Sequence, residues 1–129
     1  MFKKILKPIL PPAIVFTFHI LMIAIFRIYT HFPAFDIPMH FLGGLSIGIS
    51  AIILLNIFKT KINAPKFFIF VWIIGLTVLM ATLWEFAEFI GDYYFQTQMQ
   101  ISLADTMADM FLGLAGGTVA GVYRILHHD

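Results

Sequence analysis

The chain has 129 residues, of which 60% are hydrophobic, 16% aromatic and only 12% charged, with a net charge of +1. Soluble domains carry about 25% charged residues, so this composition excludes a water-soluble globule, and its apolar content equally excludes a disordered chain. Cysteine is absent, which removes disulfides, thiol nucleophiles and thiolate zinc sites.

Four stretches reach the roughly 20 mainly apolar residues that cross about 30 Å of hydrocarbon. The first runs from Pro12 to Tyr29, interrupted by His19 and, near its end, by Arg27. Lys3, Lys4 and Lys7 precede it as in a signal peptide. The apolar run is too long for such a peptide and no small-residue cleavage site follows, so a retained helix is expected. Pro8, Pro11 and Pro12 suit a helix entrance, where a missing N–H is not felt. The second stretch, Pro38 to Phe58, contains no Asp, Glu, Lys or Arg, and the third, Phe67 to Ile90, is uncharged until Glu85. The fourth, Ile101 to Leu126, is interrupted by Asp105 and Asp109 and crosses only if both carboxylates face protein rather than lipid. The connections His31–Ile37, Lys59–Lys66 and Gly91–Gln100 are short, without repeats or low complexity. The predicted fold is therefore all-α, a single membrane domain over residues 1–129 built as an antiparallel bundle of four transmembrane helices.

Basic residues orient that bundle. Lys3, Lys4, Lys7, Lys59, Lys61, Lys66 and Arg124 all fall on one side, and Arg27 alone falls on the other. The positive-inside rule then predicts cytoplasmic termini. With this topology, Asp36, Glu85, Glu88, Asp92, Asp105 and Asp109 lie on the outer side or in the outer half of a helix, as do His31 and His40, while Asp129 is cytoplasmic.

Spacing groups these side chains. Glu85, Glu88 and Asp92 share a face of the third helix, Asp105 and Asp109 a face of the fourth, and Asp36 and His40 a face of the second. At 1.5 Å of rise per residue they occupy similar depth, and inward packing converges them. A charge at the bilayer centre costs from about 3 to more than 10 kcal/mol. Here Arg27 and two histidines face six carboxylates. Protonation, water or a bound cation must meet the excess, since like charges in one site raise at least one pKa. Carboxylate oxygens with an imidazole suit a divalent metal such as Mg, Mn, Ca, Zn or Fe. The predicted metal ligands are Asp36, His40, Glu85, Glu88, Asp105 and Asp109, and no other cofactor is expected.

Each feature also has a plainer explanation. Polar side chains join membrane helices at about 0.6–2 kcal/mol per contact, but so many acids with so few partners favour a site. His19, mid-helix and far in sequence from any acid, is expected to be a neutral histidine bonded to a neighbouring helix. His127 and His128 are expected to be solvated, and Asp92 to lie in the wet outer loop with Tyr93 and Tyr94. Gly44 and Gly48, and Gly113, Gly117 and Gly121, form small-xxx-small series for close helix packing. Gly43 and Gly44 leave space one turn beyond His40, and Trp84 beside Glu85 is placed to wall the site. There is no phosphate loop, His-Glu-x-x-His or Gly-x-Ser-x-Gly. The lysines are explained by topology and by contact with anionic lipid head groups, so no nucleic-acid partner is expected.

The segments Leu83-Trp84-Glu85-Phe86-Ala87-Glu88 and Asp105-Thr106-Met107-Ala108-Asp109-Met110-Phe111-Leu112-Gly113 resemble the YjdF-like inner-membrane proteins. Asp36 to His40 with Phe41 and Gly43 or Gly44 resembles that family's earlier Asp-x-x-x-His-Phe element. A more distant likeness is to VanZ-like membrane proteins. The resemblance implies a multi-pass protein of the bacterial inner membrane and marks Asp36, His40, Glu85, Glu88, Asp105 and Asp109 as shared polar positions. Ile37 and Ile101-Ser102 depart from the family pattern of a basic residue and a Gly-Asp pair.

The leading functional expectation is an outward-facing site that binds a divalent cation or protons and handles a lipid or lipid-linked cell-envelope ligand. A second is a metal-dependent hydrolase or transferase on a lipid head group, with Glu88 or Asp109 as the catalytic base. A third is a transporter or channel component, which with four spans requires a homo-oligomer. A fourth is an assembly protein that uses only its helix faces.

Overall fold

Prolines open the chain's first helix. Lys7–Ile9 forms a 3-10 turn that leads into helix α1, Leu10–Phe26, with Pro11 and Pro12 in its first turn. The computed structural model describes residues 6–58 and 64–127. Lys3, Lys4, Lys59, Lys61, His128 and Asp129 lie outside the described residues. Sequence reasoning carried the first helix to Tyr29, but α1 stops at Phe26. Arg27 takes a left-handed conformation (φ 47°), and its N–H donates to the carbonyl of Ile23 at 3.1 Å. This is the usual way to end a helix, though normally with glycine. A one-turn helix, Ile28–His31, follows, then a 3-10 turn, Pro33–Phe35.

Helix α2 spans Asp36–Ile57, with Asp36 in its first turn, where the helix dipole favours an anion. Helix α3 spans Lys66–Phe95. It passes through Gly91, expected to begin the loop, because Gly91 is buried and its missing side chain makes room for Met99 and Thr97 of the connection folding back. Helix α4 spans Leu103–Leu126 and is capped by Ser102, whose Oγ accepts from the Asp105 N–H at 3.1 Å.

Among the described residues the fold is entirely helical. Lys7–Phe26, Pro33–Ile57 and Lys66–Phe95 are long and apolar enough to cross a membrane. The fourth predicted span, α4, is long enough but less apolar, since Asp105, Asp109, Arg124 and many small residues dilute it. Those small residues are used in packing. A Cβ on Gly44 would overlap the Gly113 carbonyl, one on Gly48 would meet Ala120 and Gly117, and one on Gly116 would meet Phe41. Residue numbers rise together along this seam, so α2 and α4 run parallel in close contact. Against α3 the order reverses: Gly113 faces Ala81, Gly117 faces Thr77, and Gly121 faces Phe70 and Ile73.

The buried apolar residues are few, namely Met39, Ala51, Ile73 and Ala120, whereas Phe67, Phe86, Phe89, Phe111 and many aliphatic side chains point outward. An exposed apolar surface of this extent is untenable in water. In lipid it is the expected arrangement, because small residues let backbones approach and large ones meet the acyl chains.

Candidate functional site

Asp36 and His40 lie one turn apart at the start of α2, with His40 Nε2 at 3.4 Å from Asp36 Oδ1. The parallel α2–α4 seam brings Asp109 alongside, with its Oδ1 at 3.8 Å from the same nitrogen. One ligand atom from each of the three residues lies within 4.8 Å of the others, close enough to hold a metal ion. A tetrahedral ion with bonds of about 2.1 Å needs ligand atoms about 3.4 Å apart, so the two separations from His40 Nε2 suit one after small side-chain adjustments. Asp109 is only 6% exposed. It faces protein rather than lipid, the condition under which α4 can cross a membrane.

Two further residues complete the cluster. The Tyr29 hydroxyl donates to Asp36 Oδ1 at 2.8 Å and lies 2.8 Å from His19 Nε2. A phenol carries one proton, and a carboxylate only accepts, so His19 Nε2–H must donate to the Tyr29 oxygen. Burial, reinforced by the bond to Asp36, pushes the Tyr29 phenol above its ordinary pKa and keeps it a donor. The result is a hydrogen-bonded path from His19 through Tyr29 to Asp36, next to His40 and Asp109. Had α1 continued straight, Tyr29 would stand about 15 Å beyond His19 along the axis. The left-handed turn at Arg27 folds the phenol back.

The other predicted ligands stand outside this group. Glu88 accepts from Trp84 Nε1 at 2.8 Å. Glu85, 5% exposed, accepts from the Gln100 side-chain amide at 3.2 Å, and the same amide donates to its carbonyl at 3.1 Å. Asp105 is half-buried in the first turn of α4. Asp92 binds the backbone N–H groups of Met99 at 2.7 Å and Gln100 at 2.8 Å, so it shapes the loop after α3. Arg27, the expected neutraliser, makes no ion pair with a carboxylate among the described residues. Among the described residues, His40 is therefore the one basic side chain within ion-pair distance of Asp36 and Asp109.

Sequence reasoning treated His19 as a lone histidine and Tyr29 as the end of the first span. No spacing pattern joins them to Asp36, because their meeting depends on one backbone conformation. Trp84 does wall the site: its ring lies 6.3 Å from that of His19 and 5.7 Å from that of Phe16. Beside His19 and His40 opens a cavity of about 380 Å³, bounded by α1, α2 and α3 and touched by Gly113 of α4. Gly43, expected to leave space near the imidazole, lines it.

A family described as "Predicted membrane protein (DUF2238)" matches residues 2–129. The chain belongs to this family. That membership is consistent with the YjdF-like resemblance carried by the Glu85–Glu88 and Asp105–Asp109 segments. No curated protein and no solved structure matches the chain.

Proposed function

We propose that this member of the family is a four-span protein of the bacterial inner membrane whose outer end holds a divalent cation between Asp36, His40 and Asp109. The observation that carries the reading is the convergence of those three ligand atoms within 4.8 Å, from two helices, with no Lys or Arg paired to either carboxylate among the described residues. A cation supplies the missing positive charge without a basic side chain. Three protein ligands leave a coordination position open, and that position suits a phosphate or carboxylate oxygen of a lipid or cell-envelope ligand. Burial of Asp109 against α2 supports α4 as the fourth span, and Lys7, Lys66 and Arg124 at the opposite end support cytoplasmic termini.

Transport is less well supported. The deeper polar side chains are tied up locally: Thr77 Oγ1 donates to the Ile73 carbonyl, Thr118 Oγ1 to the Leu114 carbonyl, and Arg124 to Asn56. They form no path across the bundle among the described residues.

Metal analysis of protein purified without chelator tests the proposal. About one divalent ion per chain is expected, lost in Asp109→Asn and His40→Ala. Asp105→Asn is expected to keep it, since Asp105 stands outside the trio. Equal metal content in wild type and Asp109→Asn would sink the reading.

A further inference from the structure

The cavity beside the cluster has a directional character. At one end stand His19, His40 and Trp84; toward the other stand Ile9, Ile47 and Thr77. On α2, from His40 to Ile47, and on α3, from Trp84 to Thr77, it extends about 10 Å along the helix axes. Its volume of about 380 Å³ lies within the ~300–1,000 Å³ range of ligand pockets. Polar groups in its deeper wall make no demand on an occupant, because Thr77 donates to the Ile73 carbonyl and Ser46 to the Gly43 carbonyl. Water therefore gains few partners there, and an apolar space of this size is one that hydrocarbon fills better.

α1 and α3 are only loosely joined along one side of the cavity. α1 packs on α2, has no buried residue of its own, and reaches α3 through the aromatic contacts of Phe16 and His19 with Trp84. We propose that the upper part of one acyl chain of a bilayer phospholipid enters between α1 and α3 and lies in this cavity, with its polar head at His19 and His40. The inference extends the cation-site reading, on which its head-group end rests. The polarity of the cavity runs as a lipid of the outer leaflet runs, with polar atoms at the outer interface and apolar atoms toward the midplane. A helix of a second copy, about 10–12 Å across with its side chains, is too wide for such a space.

Gly43 supplies the test. A Cβ there meets nothing within 4 Å, and Gly43 lines the cavity, so Gly43→Leu is a cavity-filling change whose first carbon has room. Ala13→Phe, from the α1 wall, fills the same space independently. Full-length protein extracted from bacterial membranes in mild detergent is analysed by native mass spectrometry for retained phospholipid and, separately, for metal. Wild type is expected to retain one phospholipid, and both filling variants to retain it about tenfold less, a change of about 1.4 kcal/mol in binding. Their metal content should be unchanged. A wild type that carries no phospholipid, or filling variants that retain it as wild type does, would overturn the inference even with the metal in place. Loss of metal from Asp109→Asn tests the cation site alone, so the two ideas fail separately.

Discussion

Tyr29 decides how the cluster is held. It joins His19 of α1 to Asp36 of α2 through two hydrogen bonds of 2.8 Å and keeps its proton because the site is sheltered. Partners of this kind orient metal ligands, and their removal typically weakens metal binding about 10- to 100-fold. Tyr29→Phe is therefore expected to lower metal affinity by that order in a competition titration, while circular dichroism shows an unchanged helix content. Unchanged affinity would mean that Asp36 is held by other means. At this scale the sequence was partly legible. Asp36 and His40 announce themselves by their spacing, and Asp109 by its place in an otherwise apolar stretch. Glu85 and Glu88 look equally promising on paper, yet Gln100 and Trp84 engage them, because side-chain partners depend on loop geometry and rotamer rather than on register alone.

The α2–α4 seam sets the geometry of the site, because Asp109 reaches His40 only if Gly44 and Gly113 let the two backbones touch. Gly44→Ala places a methyl group on the Gly113 carbonyl and is expected to destabilise the protein by about 1–3 kcal/mol, as overpacking of a close contact does. Gly75→Ala on α3 meets nothing within 4 Å and is expected to leave stability unchanged or raise it slightly, since alanine favours the helix. Thermal unfolding of both variants in the same detergent separates them; equal melting temperatures would refute the seam's role. The small-xxx-small series foretold close packing. It did not foretell that the partner of α2 would be the parallel helix α4, nor that Gly116, outside the series, would sit against Phe41.

The whole molecule turns its large apolar side chains outward and its small and polar ones inward, which is the arrangement lipid demands. The absence of cysteine makes its topology directly measurable. Single cysteines at Thr30 and Phe95, both exposed near the proposed outer face, are expected to react in intact cells with a membrane-impermeant maleimide. Leu126→Cys, at the opposite end, should react only after the cells are opened. Labelling of Leu126→Cys from outside would reverse the orientation drawn from Lys7, Lys66 and Arg124.

Composition and hydropathy by themselves determined that this is a helical membrane protein, because about 20 consecutive apolar residues have no other favourable environment. They also located the acids and histidines worth suspecting, because an ionisable group among apolar residues is costly wherever it lies. Only the tertiary structure decided which of those groups meet. That depends on the left-handed break at Arg27, on the Gly44–Gly113 approach and on the loop held by Asp92. Each is a contact or conformation between residues whose sequence separation carries no periodic signal.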